Sequence, residues 1–334
     1  MDEHGGRFER WRGWRPLLIA AGVYVAAIAT VAAIRAESSS DFRDYWRTAA
    51  HFRETGEISA ELGVHNYLPF FTLFMLPLSF LPLRVAIVVF VVLSFALLAL
   101  SVVLVEQLLH ARVPGRPRRA TLAALGLILA YVHSATVLGT VNLLLLFLVI
   151  ATWVLVEQQR DWAAGVALGL ATLIKLVPGA LIVFFLLQRR WRVAAAAAVV
   201  GVIGGLGLPL LAVGPAETVA QHERFARTAL GEHGARSTLL ADKPIKAKYS
   251  NNALPMVLRR LLTPTDGDPH DERPALLVNV AALPRRVVYG VYVVVMAVVL
   301  GVSALAALQR PRDWPPEDRA GVDAVRAQFG VWCC

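Results

Sequence analysis

Cysteine is nearly absent. The 334 residues hold two, Cys333 and Cys334, adjacent at the C-terminus, which rules out a disulfide framework and the spaced thiols of a structural zinc site. Charge is scarce too: charged residues make up 17% of the chain and apolar residues 57%, a ratio that excludes an ordinary soluble globular domain. No G-x-x-x-x-G-K-[ST] occurs, so nothing supports an ATP-driven transport subunit. Internal repeats are not evident, which counts against an inverted-repeat secondary transporter. His270 has acids around it in DGDPHDERP, but that Pro-Gly-Asp composition marks a turn, and no metal site is expected there. The net charge of +9 would suit nucleic acid, yet the Arg and Lys fall in clusters beside apolar runs, where they orient a chain in a bilayer. No nucleic-acid partner is expected.

What is present is a series of long apolar runs separated by short polar clusters, the pattern of an all-α polytopic membrane protein. The arginines of RFERWRGWR precede an apolar run from Pro16 to Ile34 and place residues 1–15 in the cytoplasm. Further spans are expected at Leu83–Leu109, Ala120–Leu138, Leu143–Val156, Val193–Val213 and Val287–Leu308. ARVPGRPRR, QRRWR and QRPR carry the cytoplasmic arginines between them. Residues 16–310 then form a multi-span domain with outer loops at 35–66 and 214–286 and the short outer turn GTVN at Gly139–Asn142. Residues 311–334 are expected to form a cytoplasmic segment followed, at FGVWCC, by the start of a further span, as in a C-terminally truncated chain. Ala, Arg and Val richness points to a bacterium of high GC content, and hence to its plasma membrane.

Two apolar stretches do not fit simple spans. Tyr67–Pro82 is short and broken by Pro69, Pro77 and Pro82, which suggests a helix dipping into the outer leaflet. Trp162–Leu187 has cytoplasmic signals at both ends and Lys175 and Pro178 near its centre, which suggests two short helices turning at Lys-Leu-Val-Pro. An ionisable side chain inside an apolar segment costs about 2.5 to 3.5 kcal/mol on insertion scales, which makes Lys175 a functional candidate. The lysine lies roughly 18 Å from either end of its stretch at helical rise, too far for easy snorkelling. A point charge holding an anionic group such as a lipid phosphate fits that position.

The segment SSSDFRDYWRTAA follows the first span. From Asp41 onward, Phe42, Tyr45, Trp46, Ala49 and Phe52 recur at helical spacing, with Arg43, Asp44, Arg47 and Arg53 elsewhere around the axis. An amphipathic helix on the outer membrane surface is expected. Ser38 to Asp41 would cap it, a role that Ser and Asp fill well and that alone accounts for the acid.

The order of five motifs carries a resemblance. These are D-F-x-x-Y-W-x-x-A-A at Asp41–Ala50, Y-x-P-F with its trailing prolines at Tyr67–Pro82, G-x-V-N-L-L-L at Gly139–Leu145, A-G-x-x-L-G-L-A-x-x-x-K-L-x-P at Ala164–Pro178, and R-R-W-R at Arg189–Arg192. In this order and spacing they resemble glycosyltransferase family 87. The resemblance implies a membrane fold like that of the GT-C transferases, with outward-facing loops and re-entrant or short helices. It further implies transfer of a hexosyl, most plausibly mannosyl, residue from a polyprenyl-phosphate sugar to a lipid or glycan acceptor on the extracytoplasmic side. Thr140 stands where the family often has Gln, and Leu68-Pro69 where it often has Pro-Pro.

By the same resemblance an essential acid of the first outer loop falls on Asp41, as general base of a metal-independent inverting displacement. Asp44, three residues on along the same helix, is the second candidate. Lys175, Asn142, Tyr67, Asn251 and Asn252 are the candidates for holding donor phosphate and sugar, although Asn251-Asn252-Ala253 matches the family's stretch only in part. A turn asparagine such as Asn142 is also commonly structural, and the lysines before Asn251 also suit a solvated loop near anionic headgroups. No cofactor and no metal are implied. The alternative from another class is a polytopic lipid or solute transporter or flippase, with Lys175 on a translocation path.

Overall fold

The computed structural model describes residues 15–38, 41–58, 67–112, 119–232, 234–241, 253–265 and 277–308. Among the described residues, regular structure is entirely helical. In chain order the first seven helices are α1 (Arg15–Ile34), α2 (Asp41–Thr55), α3 (Pro69–Ser79), α4 (Leu83–Arg112), α5 (Arg119–Val137), α6 (Asn142–Glu157) and α7 (Asp161–Ile174). After a 3-10 turn at Val177–Gly179 come α8 (Ala180–Leu187), α9 (Trp191–Val202), α10 (Leu208–Phe225), α11 (Ala235–Leu240), α12 (Leu254–Leu262) and α13 (Arg285–Leu308). Among the described residues, three helical runs are long and apolar enough to cross a bilayer: Leu83–Leu109, Trp191–Ala229 and Arg285–Leu305. Ile19–Ile34, Ala123–Val137, Asn142–Glu157 and Asp161–Ile174 are shorter apolar helices. The chain is an all-α polytopic membrane protein.

The chain divides into two compact units. The first takes in Met1–Val64, Pro69–Ile182 and Trp191–Val213, the second His65–Leu68, Val183–Arg190 and Gly214–Cys334.

In the first unit, α7 packs on α6 and α9, α4 on α6 and α1, and α2 on α3. The α7–α9 contact depends on two glycines one helical turn apart. A Cβ on Gly165 would lie 2.5 Å from the Ala196 methyl, and one on Gly169 would lie 2.7 Å from Val200 Cβ. Small residues at this spacing let two backbones approach, the usual basis of close packing between membrane helices. The helix α7 leaves α6 through Gln158–Arg160, where Gln159 takes φ 59° and Arg160 N–H donates to Leu155 O at 2.8 Å. With so short a connection the two helices run antiparallel, and the start of α6 and the end of α7 share one end of the unit.

One expectation needs correction. The helix α2 does not lie with its apolar face against lipid. That face is buried in the first unit, where Phe42 meets Phe90 of α4 at 4.9 Å between ring centroids and Tyr45 meets Phe71 of α3 edge-on at 4.9 Å. The apolar spacing of α2 suits protein as well as a membrane surface, and aromatic neighbours take it. The segment from Gly214 is helical to Phe225, continues as a π-helix over Ala226–Glu232, and resumes in α11 and α12.

In the second unit α11, α12 and α13 pack together around Arg259, which is 2% exposed. Its Nη1 donates to Thr238 O at 2.6 Å and its Nε to Thr265 Oγ1 at 3.3 Å. A buried guanidinium is tolerated only with such partners.

Candidate functional site

At one end of the first unit, three sequence-nominated residues come to neighbouring positions. The organising feature is the turn after α5. Gly139 adopts φ 68°, its N–H donates to Thr136 O at 3.2 Å, and Thr140 N–H donates to Ala135 O at 2.9 Å. These bonds are those of a Schellman stop, in which a left-handed glycine satisfies the last carbonyls of the helix. One carbonyl of this turn is used differently: Leu138 O accepts the backbone N–H of Asp41 at 3.0 Å. The first residue of α2 is thereby docked on the turn. Gly139 is required twice, by its φ and because a Cβ would lie 2.5 Å from Phe42 Cβ.

Asn142 opens α6 three residues beyond that glycine and is half-buried. Lys175 ends α7. Its backbone leaves the helix at φ −149°, ψ 131°, while its N–H still donates to Ala171 O at 2.9 Å. Pro178 then favours the 3-10 turn over continued α-helix. Lys175 is exposed and lies within electrostatic reach of Asp41. A cation at a helix C-terminus also complements the helix dipole. Asp41 is exposed as well, so an acid and a base within electrostatic reach of each other lie on the same end of the unit as the half-buried Asn142.

Asp44 stands apart from this arrangement. Its Oδ1 accepts from Arg43 Nε at 3.3 Å and Nη2 at 3.1 Å, and Arg43 Nη1 also donates to Glu37 O at 3.0 Å. Asp44 is thus tied to an arginine on its own helix, while Asp41 lies within electrostatic reach of Lys175.

The helix α2 is held in place at its other end. Trp46 Nε1 donates to Leu78 O at 3.2 Å and Leu81 O at 3.0 Å, and Arg53 donates to Ser79 O with its guanidinium 5.4 Å from the Phe80 ring centroid. These carbonyls lie at and just beyond the end of α3, where helix carbonyls run out of intrahelical donors. At 11 residues, about 16 Å of helix, α3 is too short to cross a hydrocarbon core about 30 Å thick.

Tyr67 packs with the second unit and is half-buried there. Asn251, Asn252 and His270 lie outside the described residues. Among the described residues no cluster of His, Cys, Asp and Glu is suited to a metal. Sequence reasoning did not find Arg43 as the partner of Asp44, or Gly139 as the seat of α2. The signal for the glycine was there, a lone Gly between two helical runs.

Residues 65–325 match glycosyltransferase family 87. An alpha-(1->3)-arabinofuranosyltransferase of Mycobacterium tuberculosis is 30% identical over 187 residues, covering 52% of this chain and 42% of the relative. A polyprenol-phosphate-mannose-dependent alpha-(1-2)-phosphatidylinositol pentamannoside mannosyltransferase of Mycolicibacterium smegmatis is 32% identical over 167 residues, covering 50% of this chain and 38% of the relative. The chain spans about two fifths of the length of these curated relatives. No solved structure matches it. Asp41 and Asp44 precede the matched residues, while Tyr67, Asn142, Lys175, Asn251 and Asn252 fall within them. With a match over well over half of its length, the chain belongs to glycosyltransferase family 87.

Proposed function

We propose that the chain is an integral membrane glycosyltransferase that moves a sugar from polyprenyl phosphate to a lipid or glycan hydroxyl on the outer face of a bacterial plasma membrane. The observation that supports the proposal is the docking of the Asp41 backbone on the Gly139 turn, within electrostatic reach of Lys175. A glycosyl phosphate already holds its leaving group, because the departing phosphate is a stabilised anion. What remains for the protein is a base and a cation.

Asp41 takes the proton of the acceptor hydroxyl as that oxygen attacks the anomeric carbon. The bond from that carbon to the phosphate oxygen breaks in the same step, with inversion, and the electron pair leaves on the phosphate. Lys175 stabilises that charge, and Asn142 is placed to hydrogen-bond sugar or phosphate. Asp44 is the weaker base candidate, because its carboxylate is already held by Arg43. Tyr67, Asn251 and Asn252 are retained as donor-binding candidates on sequence grounds. No step calls for a metal or a nucleotide.

Mannose is the first choice of sugar, supported by the mannose-dependent relative. The arabinofuranosyl relative favours a second choice, a pentofuranose. Membranes holding the chain, incubated with polyprenyl-phosphate [³H]mannose, are expected to transfer label to an extractable lipid or glycan. In a parallel incubation, transfer from polyprenyl-phosphate arabinofuranose alone would move the assignment to the pentose, and transfer from neither would remove it. Labelling of a cysteine placed at Ser38 by a membrane-impermeant maleimide checks the outward orientation; protection in intact cells would contradict it.

A further inference from the structure

A groove of about 740 Å³ runs along the first unit between α1 and α4, and none of the residues assigned to transfer lines it. On α1 it is lined by Gly22, Ala26, Ala29 and Ala33, which follow one another at three- or four-residue steps and so share one helix face. Val88 and Val92 form the facing wall on α4. The small side chains of α1 give the groove its depth. Thr30 also lines it, but its hydroxyl donates to Ala26 O at 2.8 Å and is not offered to a ligand. Along its length the groove is therefore apolar.

One end is different. Arg84 lies on the same face of α4 as Val88 and Val92, at four-residue spacing. Tyr24 meets Phe95 with ring centroids 5.8 Å apart, so α1 and α4 run antiparallel and Arg84 stands at the Ile34 end. The arginine is exposed, and no carboxylate among the described residues pairs with it. From Gly22 to Ile34 the groove is about 18 Å long at helical rise, close to the roughly 15 Å depth of one leaflet. It is open along its side, and Val92 on its wall is 49% exposed.

We propose that this groove binds an anionic phospholipid of the bilayer, with one acyl chain lying along Gly22, Ala26 and Ala29 and the head phosphate on Arg84. The length decides between lipid classes. A leaflet-deep groove suits an acyl chain, whereas a polyprenyl carrier is longer than the groove. The charge decides the headgroup, since an arginine with no carboxylate partner among the described residues offers its planar fork to two phosphate oxygens at once. The site stands whether or not the chain transfers a sugar.

Native mass spectrometry of the full chain in detergent, titrated with phosphatidylglycerol and separately with phosphatidylcholine, tests it. The wild type is expected to bind one phosphatidylglycerol several-fold more tightly than phosphatidylcholine. Arg84→Gln is expected to abolish that preference while weak binding of both lipids persists. Ala26→Phe, at an exposed position where the fold has room, is expected to lose the tight site for both, with helical circular dichroism unchanged. Equal affinity for the two lipids in the wild type, or an unchanged preference in Arg84→Gln, would overturn the proposal. So would displacement of bound phosphatidylglycerol by equimolar polyprenyl phosphate, which would assign the groove to the carrier lipid.

Discussion

Replacing Gly139 by alanine adds one methyl group and tests whether the turn after α5 positions the acid of α2. The perturbation has two parts. A left-handed backbone costs a non-glycine residue about 1–2 kcal/mol. Beyond that, the new Cβ would lie 2.5 Å from Phe42 Cβ, whereas carbon atoms settle at about 3.5 Å or more, so the turn or α2 must move by about 1 Å. Asp41 is the residue next to Phe42 and is bonded to the same turn, so the shift reaches its carboxylate. A misplacement of about 1 Å at a reacting group costs on the order of 10²-fold in rate. Gly56→Ala supplies the control, because Gly56 also has positive φ, +74°, but nothing lies within 4 Å of its Cβ position. That variant is expected to lose about 1–2 kcal/mol of stability and keep its turnover. Donor-dependent transfer and thermal unfolding in detergent are the two measurements. If Gly139→Ala matched Gly56→Ala in both, the turn would not be what places Asp41.

Asp41→Asn keeps the backbone bond to Leu138 O but has no basic oxygen, so transfer should fall about 10²- to 10⁴-fold with normal membrane expression. Asp44→Asn, which gives up only a part-exposed pair with Arg43 worth about 0.2–1 kcal/mol, should stay within a few-fold of wild type; the opposite ranking would exchange the two roles. Lys175→Met should insert normally and weaken donor binding about tenfold to a hundredfold, the worth of a charged hydrogen bond of roughly 1.5–3 kcal/mol, and an unchanged donor KM would return Lys175 to a helix-end charge. Gly169→Leu, whose Cβ would be forced within 2.7 Å of Val200, should lower thermal stability sharply, whereas Gly290→Leu, where nothing lies within 4 Å, should not.

What was legible in the sequence depended on whether a residue's neighbours along the chain were also its neighbours in space. The break at Lys175 is written locally, by a charge and a proline three residues apart inside an apolar run, and the helix ends there. The start of α2 at Asp41 follows from apolar spacing and an acid in the first turn. What α2 packs against was not legible, since an amphipathic pattern is the same for lipid and for Phe71 and Phe90. Gly165 and Gly169 stood within a recognised motif, but their reason, the backbone of α9, lies some thirty residues away. LPMVLRRLL carries its two arginines side by side, and a basic helix of that kind suggests a solvated face. Arg259 and Arg260 are buried instead, and Arg259 finds oxygens on Thr265, six residues on, and on Thr238, twenty-one residues back.

The central claim is that a lipid-linked sugar is consumed, not carried. The purified chain, reconstituted in liposomes with polyprenyl-phosphate [³H]mannose and an acceptor lipid, separates the two by mass balance. Transfer predicts that free polyprenyl phosphate appears in step with labelled acceptor, and that Asp41→Asn suppresses both together. Donor recovered chemically intact, with label redistributed across the bilayer and no new glycosidic bond, would contradict the account and identify a transporter.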